Sequence, residues 1–151
     1  MRVRGTVLDA ITAHARRDSP RECCGLLIGT DAEITEAVPA TNVADDPLRR
    51  YEISPIDHLA QIRRCRELAS TQAVAIGILG AYHSHPQSPP SPSPTDLEQA
   101  FEEFIYVIAG PVSGARPIET RAYRLTNGRF EAENLIVVEP PGAESPRAPA
   151  L

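Results

Sequence analysis

Apolar positions along the chain follow two periods. Val7, Leu8, Ile11 and Ala15 recur at helical spacing and predict an amphipathic helix over 6–17, ended by Ser19-Pro20. The run CCGLLIGT is short, apolar and bounded by a turn, so it predicts a buried strand, with AEITEAVPA as its antiparallel neighbour. Residues 41–50, TNVADDPLRR, show no periodicity and read as a loop. A second helix opens at SPIDHLAQIRRCRELAS, with Ser54 as N-cap and Pro55 at the first helical position. Ile56, Leu59, Ile62 and Leu68 give that helix one apolar face. AVAIGILGAYH is apolar throughout, as a central strand covered on both faces would be. PTDLEQAFEEF predicts a short helix and FIYVIAG another buried strand. IETRAYRL and RFEAENLIVV, joined by Asn127-Gly128, predict a hairpin with a type I′ turn. Strands interleaved with helices imply a mixed α/β fold, one sheet between helices.

Length and charge narrow the picture. A chain of 151 residues suits one domain. The net charge is −5 and no Lys/Arg cluster exceeds two adjacent residues, so no nucleic-acid or anionic-lipid footprint is expected. The longest apolar run, AVAIGILGAY, is too short to span a bilayer, and MRVRGTVLDA lacks the apolar core of a signal peptide. A cytoplasmic protein without a membrane partner is the expectation. The segment 139–151, EPPGAESPRAPAL, is rich in proline and small residues and is expected to be a disordered tail after a domain of residues 1–138. Cys23, Cys24 and Cys65 are odd in number and form no C-x-x-C pair, which argues for small buried residues rather than disulfides or a zinc ribbon.

The chemistry concentrates in YHSHPQSPPSPSPTD. His83 and His85 stand two apart at the end of a predicted strand, so their side chains share one side and can converge on one metal ion. Asp96 is the candidate third ligand, beyond a proline run whose stiffness lowers the entropy lost on ordering. Ser93-Pro94-Thr95-Asp96 reads equally well as a capped helix start, and the two readings are compatible. Glu22 opens the CCGLLIG strand, where a carboxylate is either exposed at the strand end or costly without a partner or a role. Gly25 leaves room there for a close neighbour. His14 and His58 lie on predicted helices among polar neighbours and read as surface residues.

H-x-H, seven residues, then S-x-x-D, with an upstream glutamate in ECCGLLIG, resembles the motif of the JAMM, or MPN-plus, metallopeptidases. TNVADDPLRRYEISP is similar to small prokaryotic members, and the resemblance covers roughly residues 5–138. It implies a cytidine-deaminase-like three-layer domain with a mixed, mostly antiparallel sheet. It implies Zn2+ held by His83, His85 and Asp96, with Glu22 as general base and Ser93 donating to the oxyanion. Other metal motifs fit less well. Pro86-Gln87-Ser88 departs from the metallo-β-lactamase pattern, the chain is too short for an amidohydrolase barrel, and a zinc deaminase needs P-C-x-x-C. A two-histidine, one-carboxylate iron site usually sits on a β-rich scaffold. The implied substrate is a ubiquitin-like or sulfur-carrier protein cut after its C-terminal Gly-Gly, releasing cysteine or lysine. The alternative is a non-catalytic MPN-type binding scaffold.

Overall fold

The computed structural model describes residues 1–139 and 142. Its elements are β1 (Arg2–Arg4), α1 (Gly5–Asp18), β2 (Cys24–Gly29), β3 (Glu33–Ala40), α2 (Pro55–Gln72), β4 (Gly77–Ser84), α3 (Pro94–Glu98), β5 (Ile105–Gly110), β6 (Glu119–Thr126), β7 (Arg129–Glu133) and β8 (Ile136–Val138). One sheet runs in the order β7-β6-β5-β4-β2-β3-β1-β8. Four pairings are antiparallel: β2 with β3, β2 with β4, β5 with β6, and β6 with β7. The β1–β3, β1–β8 and β4–β5 pairs are parallel. The expected mixed, mostly antiparallel sheet between helices is therefore observed.

The helical period of α1 explains one face of the core. Val7, Ile11 and Ala15 pack with Leu27, Tyr82 and Val107 of the sheet. Strand alternation then sends Ala81, Tyr106 and Leu125 to the opposite face, where Phe104 and Phe130 cover them. α2 lies on this second side, its Pro55 and His58 facing Leu26 and Ala81. Asn127 and Gly128 adopt φ of 52° and 73°, as the hairpin turn requires. All three cysteines are buried and free. No helix among the described residues is long and apolar enough to cross a membrane.

Several expectations are corrected. α2 buries only Cys65, while Ile56 and Leu59 stay 80% and 47% exposed. The helix meets the sheet through its second half, where Ile62, Cys65 and Ala69 line a groove with Ile76 and Ile78. α3 stops at Glu98 rather than running to Phe104, because the chain turns and the Phe101 N–H donates to the Tyr106 hydroxyl at 2.7 Å. The second arm of the hairpin divides: Ile136–Val138 leaves β7 to pair with β1, a partner more than a hundred residues away that no local pattern reveals. β4 is fully covered only from Gly80 to Ser84. His14 is 4% exposed, not a surface residue; its Nδ1 meets the Tyr82 hydroxyl at 2.7 Å and its Nε2 meets Asp18 at 3.1 Å. The tail expectation concerns residues 139–151, which fall outside the described residues apart from 139 and 142.

Gly80 shows how tightly β4 and β5 approach. A Cβ there would collide with the backbone carbonyl of Ile105. Gly80→Ala should therefore destabilise the fold by about 1–3 kcal/mol, the usual cost of overpacking. A urea midpoint equal to that of the native protein would contradict this close approach.

Candidate metal centre

Backbone pairing sets the first part of the site. β2 and β4 run antiparallel with Cys24 opposite His83. The pairing continues one residue before β2: the Ser84 N–H donates to the Cys23 carbonyl at 3.1 Å, and the Cys23 N–H donates to the Ser84 side chain, at Oγ, at 2.8 Å. Extending the same register by one further pair sets Glu22 across from His85. By alternation Glu22, Cys24, His83 and His85 share one side of the sheet, opposite α1. Gly25 is needed here because a Cβ would strike the Tyr82 ring and the Val38 carbonyl.

The second part comes from the β4–β5 connection. The His85 N–H donates to the Ala109 carbonyl at 2.8 Å, so the chain leaves β4 still held against β5. The proline run then turns back. Its Pro89 carbonyl accepts from His85 Nδ1 at 2.9 Å, and its Pro90 carbonyl accepts from the Tyr123 hydroxyl at 3.0 Å. Ser93 caps α3: its Oγ accepts from the Asp96 N–H at 3.1 Å, and its own N–H donates to Asp96 Oδ2 at 2.8 Å. The capping box and the convergence on the histidines coexist, because each Asp96 oxygen has more than one lone pair.

His83, His85 and Asp96 meet. His83 Nε2 lies 3.3 Å from Asp96 Oδ1 and His85 Nε2 lies 3.2 Å from Asp96 Oδ2. The two Nε2 atoms are 3.1 Å apart. All three residues are buried, and their ligand atoms lie within 4.8 Å of one another. Glu22 is 7% exposed and sits close enough for the charges of His85 and Asp96 to act on it. Burial pushes its carboxyl up to about 7, with His85 pulling it down and Asp96 reinforcing the rise. Burial disfavours charge on Asp96 too, but hydrogen bonds from His83 and His85 outweigh it and hold that carboxyl well below the ordinary range. Burial depresses His83. Burial acts likewise on His85, yet its bonds to Asp96 and the Pro89 carbonyl keep it above its ordinary value.

These residues fit a small divalent cation. Two imidazole nitrogens and a carboxylate point at one another in a buried space, a nitrogen–oxygen donor set suited to zinc. Donation from His85 Nδ1 to the Pro89 carbonyl fixes the neutral ring as the Nδ1–H tautomer, so a cation would take the place of the proton that Nε2 shares with Asp96. Glu22 Oε2 is buried without a hydrogen-bond partner among the described residues, so it can still accept a proton donor at the site. Cys23 and Cys24 do not compete as nucleophiles, since burial pushes their thiols up to about 11 and about 12.

Sequence reasoning did not find Tyr51. Its ring stacks on His83 with centroids 4.2 Å apart and planes 19° from parallel. The same ring lines a hollow of about 450 Å³ with Leu26, Ala81, Phe101, Phe104 and Tyr106. An aromatic residue near the end of an irregular loop gives no periodic signal, so only the folded chain reveals it.

A sheet between helices thus carries a histidine pair at a strand end and a carboxylate at a facing helix start, the arrangement of a candidate metal-dependent enzyme. The chain belongs to the family of prokaryotic homologs of the JAB domain, whose model matches residues 5–126. It is 42% identical to the desampylase of Haloferax volcanii over 110 residues, covering 68% of this chain and 75% of that one. It is 30% identical to the CysO-cysteine peptidase of Mycobacterium tuberculosis over 139 residues, covering 91% and 90%. The crystal structure of a JAB1/MPN domain protein from Archaeoglobus fulgidus shares the fold, with a TM-score of 0.56 at 21% identity over 92% of this chain and 100% of that one.

The capping box makes Ser93 structural whatever else it does. Ser93→Ala should cost about 1 kcal/mol of stability. Ser93→Asn, which restores a cap acceptor, should recover most of it in the same chemical denaturation measurement.

Proposed function

We propose that the chain is a zinc-dependent peptidase that hydrolyses the amide or isopeptide bond following the C-terminal Gly-Gly of a ubiquitin-like or sulfur-carrier protein. The observation that carries this reading is the meeting of His83, His85 and Asp96 beside the buried, partnerless Oε2 of Glu22. The desampylase and the CysO-cysteine peptidase to which the chain is similar support the reaction class. Zinc, when bound, supplies a Lewis acid that polarises a carbonyl and acidifies water.

The chain's own residues divide the remaining work. His83 and His85 offer Nε2 and Asp96 offers its carboxylate, with the Pro89 carbonyl fixing the His85 ring. Glu22 receives a proton from water at Oε2 and delivers it to the departing nitrogen. Burial, which raises this carboxyl, favours the protonated form through which it must pass. Ser93 Oγ accepts from the Asp96 N–H, which leaves the hydroxyl hydrogen to be donated to the oxyanion as the carbonyl carbon becomes tetrahedral. Because the attacking group is water, no acyl-enzyme forms. The hollow beside His83 offers apolar walls to side chains upstream of the diglycine.

The test is purified protein incubated with carrier proteins bearing cysteine or lysine after Gly-Gly, read by intact mass. Glu22→Gln should retain zinc and lose about 10²–10⁴-fold in turnover; wild-type turnover in that variant would remove Glu22 from the reaction. His85→Ala should reduce the zinc measured by elemental analysis to a small fraction of one equivalent. Full zinc occupancy in that variant would contradict the assignment of the ligands.

A further inference from the structure

The loop between β3 and α2 is only half exposed and touches both halves of the site. Glu22, which precedes β2, has its backbone gripped twice by this loop. Its N–H donates to the Pro47 carbonyl at 2.8 Å, and its carbonyl accepts from Asn42 Nδ2 at 3.0 Å. At the far end of the loop, Tyr51 stacks on His83. Asn42 joins the two ends. Its Nδ2 also donates to the Arg50 carbonyl at 3.1 Å, and its Oδ1 accepts from the N–H groups of Ala44 and Glu52, each at 3.0 Å. These bonds employ both amide hydrogens and both carbonyl lone pairs. Two partners can only accept and two can only donate, so the orientation of the amide is unique. Arg50 and Glu52 bracket Tyr51, so Asn42 binds the residue on each side of the ring that covers His83.

We propose that Asn42 is a positioning residue that sets the Glu22 base against the metal ligand His83 by tying the Glu22 backbone to the Tyr51-bearing loop. This rests on the roles given to Glu22 and His83 above. Burial anchors only the far end of the loop, through Tyr51 and Ile53. Val43 and Leu48 are 44% and 57% exposed, so the path from Asn42 to Arg50 depends on directed hydrogen bonds. The Asn42–Ile53 bridge and the Val43 N–H bond to the Glu52 carbonyl at 2.9 Å close the base of the loop but reach neither Glu22 nor Tyr51 directly. An error in this frame would move a carboxylate relative to its proton donor, the kind of displacement to which rate is sensitive and affinity much less so.

Two variants separate positioning from simple stability. Asn42→Asp is isosteric; it keeps both accepted bonds and loses both donated ones, including the one to Glu22. It should lower kcat about 10- to 100-fold, the range typical of residues that orient a metal site, with KM unchanged and with the absorption bands of the cobalt(II)-substituted protein retained. Asn42→Ala also releases the Glu52 side of Tyr51, so it should lower kcat at least as far and shift the cobalt bands. Wild-type kcat in Asn42→Asp overturns the proposal. So does an Asn42→Ala protein that melts earlier but keeps the wild-type kcat and cobalt bands. If the native protein cleaves no diglycine-linked substrate, the proposed function fails separately. The cobalt bands of Asn42→Ala then decide alone, and unchanged bands overturn the positioning role.

Discussion

A single buried carboxylate organises this molecule's chemistry. Asp96 is held by the Ser93 N–H through its capping box and shares its two oxygens with His83 and His85. A charge in that position is tolerated only because donors surround it. The requirement reaches outward. The helix start must face the end of β4, so the connection must turn back within about a dozen residues, and the proline-rich segment does this while lending its carbonyls to His85 and Tyr123. Gly110 belongs to the same economy of space, since a Cβ there would press on the carbonyl of His85.

Much of this was legible before folding, and for identifiable reasons. α1, β2, β3, β5 and the Asn-Gly turn are local features whose period or turn chemistry survives intact in the structure. The convergence of His83 with His85 follows from strand alternation, and the Asp96 position from cap spacing. Glu22 was legible as a residue but not as a neighbour of His85, because antiparallel register is a non-local fact. The parallel β1–β8 pair was invisible for the same reason: two strands of three residues carry no periodic signal, and they find each other only through the rest of the fold. His14 was misread as a surface residue because a helix pattern among polar neighbours does not foretell a tyrosine hydroxyl from a distant strand.

The site is assembled from parts of unequal stiffness. Backbone ladders place both histidines and the start of β2, and a capping box places the aspartate. Those parts resist displacement because many cooperative hydrogen bonds would have to break together. The Glu22 backbone lies just past the point where the β2 ladder ends, and the Tyr51 ring comes from an irregular loop. Both lie where strand pairing no longer dictates geometry, so side-chain hydrogen bonds must do so. That is where the four bonds of Asn42 are found.

The failure of the apolar pattern in α2 bears on the same face of the molecule. A helix written with Ile56 and Leu59 on its apolar side would ordinarily bury them, and exposure of such residues carries a solvation cost that a packed core would remove. Here they belong to the first turns of α2, the same turns whose Pro55 and His58 border the hollow beside His83, and exposed Phe101 lines the same hollow. Local rules tend to break at functional surfaces, where residues are kept for a partner rather than for the core. The mismatch between the period of α2 and its burial thus lies beside the candidate metal centre, and the half of the helix that does pack is the half remote from it.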